Sequence, residues 1–131
     1  VHERYVFDYA VVRVVPRVER GEFLNAGVIV FCPTRGFLES RIELDRERLK
    51  TLAPTIDLAV VESYLDAIPK ICEGGGEAGS IGDLPQRARF HWLVAPRSTI
   101  IQTSDVHSGV HEDPRAALDS LFDKLVRPPA E

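Results

Sequence analysis

The sequence predicts an α+β fold: an antiparallel four-stranded sheet in the order β-β-β-α-α-α-β-α, with helices packed on it. Three observations lead there. Residues 5–15 and 22–31 carry apolar side chains on both faces around a break containing Pro16 and Gly21, as a buried hairpin does. Two later stretches place apolar residues at helical spacing behind an Asp. No internal repeat or linker divides the 131 residues, so residues 1–131 are expected to form a single domain with room for a core unaided by disulfides or metal.

The first strand sets Tyr5, Phe7, Tyr9, Val11, Arg13 and Val15 on one face and Val6, Asp8, Ala10, Val12 and Val14 on the other. After the turn, residues 22–31 resume as a second strand rich in β-branched and aromatic residues. Cys32 to Gly36 turns the chain again into a third strand, residues 37–44. One of its faces, with Phe37, Glu39, Arg41 and Glu43, is half wet, which places this strand near a sheet edge. Asp45 caps a short helix to about Leu52. Asp57 caps a longer one with Val61, Tyr64, Leu65, Ile68, Ile71 and Cys72 on one stripe, and Pro69 should kink or end it. Gly74 to Gly79 reads as a flexible, solvated loop, because no Lys-Ser/Thr pair follows it as a phosphate cradle requires. Residues 83–95 resemble a helix start, Asp followed by an early Pro, with Phe90 and Leu93 turned inward. Ser98 to Thr103 alternates as a fourth strand. Asp113-Pro114 opens a last helix with Leu118, Leu121, Phe122 and Leu125 on one face, ended by Pro128-Pro129.

Composition narrows the function classes. At 44% apolar and 27% charged, with nine Gly and nine Pro spread along its length, the chain is globular. Its net charge of −4 and pI near 5.6 oppose broad capture of nucleic acid or anionic membrane. No apolar run approaches the roughly 20 residues that span a bilayer, and Glu3 and Asp8 are unlike a secretory signal, so a cytoplasmic location is expected. The absence of Met and the opening at Val1 fit a trimmed start or one read from a non-standard start codon. Cys32 and Cys72 sit among apolar residues, as buried thiols do in a reducing compartment.

Polar residues inside the apolar runs carry what functional signal there is. If the first two strands pair, Arg13 lies near Glu22, where a guanidinium grips a carboxylate with two parallel hydrogen bonds, and Asn25 joins them in a structural polar network. Gly27 leaves room for a close approach by another backbone or a ligand. A second group, Arg87, Arg89, His91, Trp92, Arg97, Gln102, Ser104 and His107, has the residue types of an anion site with an aromatic stacking plane. The competing reading is a solvated helix face with Trp92 anchored in the core. His107 and His111 are spaced for a metal on one helix, but Ser108-Gly109 between them argues for a loop, so no metal is expected. Ser104 and His107 lack the Gly-x-Ser-x-Gly elbow of a nucleophile, and the paired carboxylates Glu43/Asp45 and Glu112/Asp113 coincide with helix starts, where the dipole accounts for them. No catalytic residue and no cofactor is assigned.

The run Arg13…Arg20-Gly-Glu22-Phe-Leu-Asn25-Ala-Gly27-Val-Ile-Val-Phe31, with the later run Arg89-Phe-His-Trp-Leu-Val-Ala-Pro-Arg-Ser-Thr-Ile-Ile-Gln102-Thr-Ser104-Asp-Val-His107-Ser-Gly109, resembles the bacterial domain of unknown function 3037 (DUF3037) family over nearly the whole chain. The resemblance implies no established activity. It implies a possible protein partner, a HipA-like kinase-fold protein encoded beside some members. Two readings follow: a small non-catalytic binding or regulatory module that docks a partner through its third strand and loops, or a pocket that binds or processes a phosphorylated or nucleotide-like small molecule.

Overall fold

A computed structural model describes residues 3–129. The fold is α+β, built on one antiparallel sheet of five strands. β1 (Tyr5–Val14) is central, with β2 (Leu24–Cys32) on one side and β3 (Phe37–Ile42) beyond it at the edge. The other side of β1 carries two short strands in series, β4 (Ile101–Thr103) against Val12 to Val14 and β5 (His107–His111) against Tyr5 to Tyr9. Residues 107–111 were expected to be a loop. Their sequence has no apolar alternation; β1 makes them a strand by offering amide groups along its free side. Of the expected fourth strand, residues 98–103, the last three are extended.

The hairpin between β1 and β2 holds a β-bulge. Val12 pairs with Gly27 but Arg13 with Asn25, so Ala26 is the extra residue and both Ala26 and Gly27 face the same way. A Cβ on Gly27 would lie 2.5 Å from Ile42 Cδ1 and 2.8 Å from the Arg41 carbonyl oxygen. The close approach foreseen at Gly27 is thus made by the neighbouring strand.

The sheet separates two cores. On one face lie α1 (Arg46–Leu52), α2 (Leu58–Glu73) and α3 (Gln86–Val94), burying Leu49, Val61, Leu65, Ile68, Ile71, Phe90 and Leu93 against Val12, Val14, Ile29 and Phe31. On the other, α4 (Pro114–Leu125) packs Ala117, Leu118 and Phe122 on Phe7, Val28, Val30 and Cys32. The helix starts follow from their caps: Asp45 accepts from the Arg48 amide, Asp57 from those of Ala59 and Val60, and Asp113 from that of Arg115. α2 runs through Pro69 to Glu73 without ending there. Pro69 lies on the exposed side, while buried Ile68 before it and Ile71 and Cys72 after it hold the helix to the sheet. The glycine-rich stretch after α2 forms 3₁₀ turns over Gly76–Asp83, closed by a bond from the Gly75 amide to the Gly82 carbonyl. α3 begins after Pro85, and Phe90 and Leu93 are buried.

Candidate functional site

The best-formed concavity opens where α2 and α3 diverge above β4, a cleft of about 370 Å³. Its floor is aliphatic: Ile68 and Ile71 of α2, Leu93 of α3, and Ile100 and Ile101 of the last crossing. Tyr64, Ala67 and Ile71 fall three and four residues apart and so share one side of α2. Tyr64, expected on the buried stripe, is 54% exposed at the cleft mouth, and Trp92 faces it at 42%. These two rings form the walls.

The rim is held by local bonds. α3 stops ahead of Pro96, and Arg97 folds back so that its guanidinium donates to the Leu93 carbonyl (3.0 Å) and to that of Trp92. Those carbonyls are orphaned at the helix end, where a cation also meets the negative end of the dipole. The same guanidinium lies 4.4 Å from the Trp92 ring centre. Gln102 Nε2 donates to the Thr99 carbonyl (2.9 Å) and Thr99 Oγ1 to that of Ile101 (2.8 Å), which fixes the turn into β4. The lining includes no Asp, Glu, His, Cys or Lys, so it offers no general base and Arg97 as its one formal charge. Chemically it is an apolar concavity with a cation and a few hydroxyl and amide groups at its border.

Of the eight candidates in the second polar group, Trp92, Arg97 and Gln102 line this cleft, and the others serve elsewhere. Arg89 is 8% exposed and donates from Nε to the Leu84 carbonyl (2.9 Å) and from one terminal nitrogen to the carbonyls of Ile71 (2.9 Å) and Cys72 (2.6 Å). It closes the C-terminal end of α2, and Gly74 is pressed against it: a Cβ there would lie 2.9 Å from the guanidinium. Arg87 is exposed and sits 5.3 Å from the Phe31 ring centre, and His91 is exposed beside Phe90. Ser104 is buried where β4 gives way to β5. Its amide donates to the Val11 carbonyl (2.8 Å) and its Oγ accepts from the Val11 amide (2.9 Å), so one residue spans the break in the sheet. His107 lies on β5 with its ring 5.5 Å from that of Tyr9.

The Arg13, Glu22 and Asn25 group is also distributed differently from the expected mutual network. Glu22 pairs with Arg20, whose guanidinium holds its carboxyl below the usual carboxylate range. Arg13 stacks on Phe23, 4.2 Å from its ring centre, and Asn25 Nδ2 donates to the Leu125 carbonyl at the end of α4 (2.9 Å). The buried Arg13 Nε and Asn25 Oδ1 have no protein partner. The cause is the 3₁₀ turn Val18–Arg20, which returns Arg20 beside Glu22, and the bulge at Ala26, which sets Arg13 opposite Asn25. Both cysteines are free and buried, and burial pushes the Cys72 thiol up to about 11. Among the described residues no three His, Cys, Asp or Glu side chains gather as a metal-ligand set, and no helix is long and apolar enough to cross a membrane.

Residues 9–126, spanning both cores and the cleft, match the family model described as protein of unknown function (DUF3037). The chain belongs to that family. No curated protein and no solved structure matches it. Membership in DUF3037 therefore assigns no residue a role, and the cleft stands on its own geometry.

Proposed function

We propose that the protein is a small non-catalytic binding module whose cleft between α2, α3 and β4 receives an apolar side chain from a protein partner. One observation carries this reading: an aliphatic floor lies open between two large, half-exposed rings, Tyr64 and Trp92. Exposed aromatic rings around an apolar pocket are what anchor residues of a partner fill. Arg97 at the rim favours a carboxylate next to the anchor, so the matching segment is a Leu or Phe beside Glu or Asp. The HipA-like kinase-fold protein implied by the family resemblance is the first partner to try.

The phosphorylated or nucleotide-like small molecule has weaker support. It relied on several arginines converging, and Arg97 alone among them reaches the cleft, one cation where a phosphate group calls for several.

The test uses the chain's single Trp as its probe. Emission from Trp92 is expected to shift to shorter wavelength on titration with acetylated peptide amides carrying Leu or Phe beside Glu. Nucleotides and phosphosugars are expected to leave it unchanged. Co-expression with the kinase-fold protein should give a complex that Tyr64→Lys abolishes; equal retention by wild type and variant, with no response to the peptides, rejects the proposal.

A further inference from the structure

We infer that β5 is a self-pairing edge, through which two copies of this chain join their sheets in an antiparallel dimer centred on Gly109. This strand contributes no residue to the lining of the cleft, and the inference does not depend on what the cleft binds.

The amide directions follow from bonds already formed. The Val11 amide and carbonyl point to Ser104, and the Val15 amide to the Ile100 carbonyl, so odd-numbered residues of β1 face β4 and β5. The Val6 carbonyl faces the other way, to Cys32 Sγ. In the β1–β5 register Tyr5, Phe7 and Tyr9 oppose His111, Gly109 and His107, which makes these three the inward-bonding residues of β5. The N–H and C=O groups of Ser108 and Val110 consequently point out of the sheet.

A twofold axis at Gly109 sets Ser108 against Val110 of the second copy and Val110 against its Ser108. Every outward amide group of one strand then meets its complement on the other. Gly109 meets Gly109 at the non-bonded position between them, where facing Cα atoms come closest. Gly109 also has a reason to be glycine within one copy, since a Cβ would lie 2.6 Å from the Phe7 ring.

The two edges of the sheet differ in protection. β3 bears Glu39 and Arg41, each in an ion pair with α4, to Arg115 (2.6 Å) and Asp119 (3.0 Å). β5, His107-Ser-Gly-Val-His111, has no Asp, Glu, Lys, Arg or Pro to discourage a second strand, so self-pairing brings no like formal charges together. Beside it, Val110 and its cross-strand neighbour Val6 are 54% and 61% exposed on one face. Joining two copies covers part of that apolar strip. A pairing this short buries little area, so the dimer belongs with dissociable complexes.

Sedimentation velocity of the full chain over roughly a hundredfold range of concentration should show a monomer–dimer shift. Hydrogen exchange adds a readout specific to the strand. The Ser108 and Val110 amides should exchange fast in dilute protein and slowly in concentrated protein, while the Gly109 amide, bonded to β1, stays protected in both. Val110→Pro removes an outward N–H and no bond to β1, so its fold should persist and its concentration dependence vanish. A wild-type chain that stays monomeric throughout overturns the inference. So does a dimer that survives Val110→Pro, or protection of Ser108 and Val110 that arises only when a different protein is added; the exchange experiment on wild type decides even if the variant does not fold.

Discussion

On one face of the sheet a single helix, α4, covers its core and is clasped at its margins by arginines. Arg41 and Arg127 lie 4.4 and 5.3 Å from the Phe122 ring centre, and Arg115 lies 5.6 Å from that of Phe37. Each reaches a carboxylate as well: Asp119, Glu43 and Glu39. On the other face α2 and α3 cover a larger aliphatic core but diverge over β4, and there the guanidinium of Arg97 lies on Trp92 and bonds back to carbonyls of its own helix rather than reaching across to α2. Exposed ion pairs add little stability. What the arginines do for α4 is lay apolar stems and flat guanidinium groups over aromatic rings, which removes those rings from the surface. The contrast shows how the sequence closes an apolar margin where closure is wanted, and makes the open one on the opposite face the informative exception.

Four substitutions and one labelling experiment sharpen that contrast, in order of expected effect. Phe122→Ala, at the centre of the clasped face, should cost about 4 kcal/mol in urea unfolding, since it empties a fully buried ring site and leaves Arg41 and Arg127 without their platform. Arg89→Met on the opposite face should cost about 3 kcal/mol, because the carbonyls of Ile71, Cys72 and Leu84 lose a buried cationic donor. Gly27→Ala forces β3 away from the bulge and should cost about 2 kcal/mol, read as a lowered Tm. Trp92→Ala should cost about 1 kcal/mol or less yet abolish peptide binding, read by titration calorimetry because the variant keeps no Trp, separating the open margin from the clasped one; an effect as large as that of Phe122→Ala would erase the distinction.

The smallest effect is expected at Cys72. Folding raises its thiol from 9.0 to about 11, so the thiolate is depleted and iodoacetamide labelling of the native chain should stay slow up to pH 9, with mass spectrometry locating the site. The sign for stability is opposite to that of a paired carboxylate. A raised thiol pKa leaves stability untouched below pH 9.0 and lowers it as pH climbs through about 11. Fast native labelling at Cys72 in neutral buffer would mean the aliphatic core beneath the cleft opens readily.

Local chemistry was legible in the sequence and distant pairing was not. The caps Asp45, Asp57 and Asp113 bond amides two or three residues away, so their signal is complete within a few residues. The third strand's half-wet face placed it correctly at an edge. β5 escaped notice because its strand character comes from β1, some hundred residues earlier in the chain. Arg89 and Arg97 looked alike as members of an arginine cluster, yet one closes α2 and the other α3, a difference set by carbonyls the sequence does not mark. The cleft had one faint signal: Tyr64, a ring with a polar tip among the aliphatic residues of the α2 stripe.

Ser104 has a reach beyond its own bonds. With its amide and hydroxyl both tied to Val11, it pins the three preceding residues in a single alignment against β1, Thr103 opposite Val12 and Ile101 opposite Val14. A slide by one residue would turn Ile101 and Thr103 away from the helices and present Gln102 in their place. A hydroxyl outside the cleft thus selects the chemical character of its floor, much as a detent on a dial selects which number shows in the window.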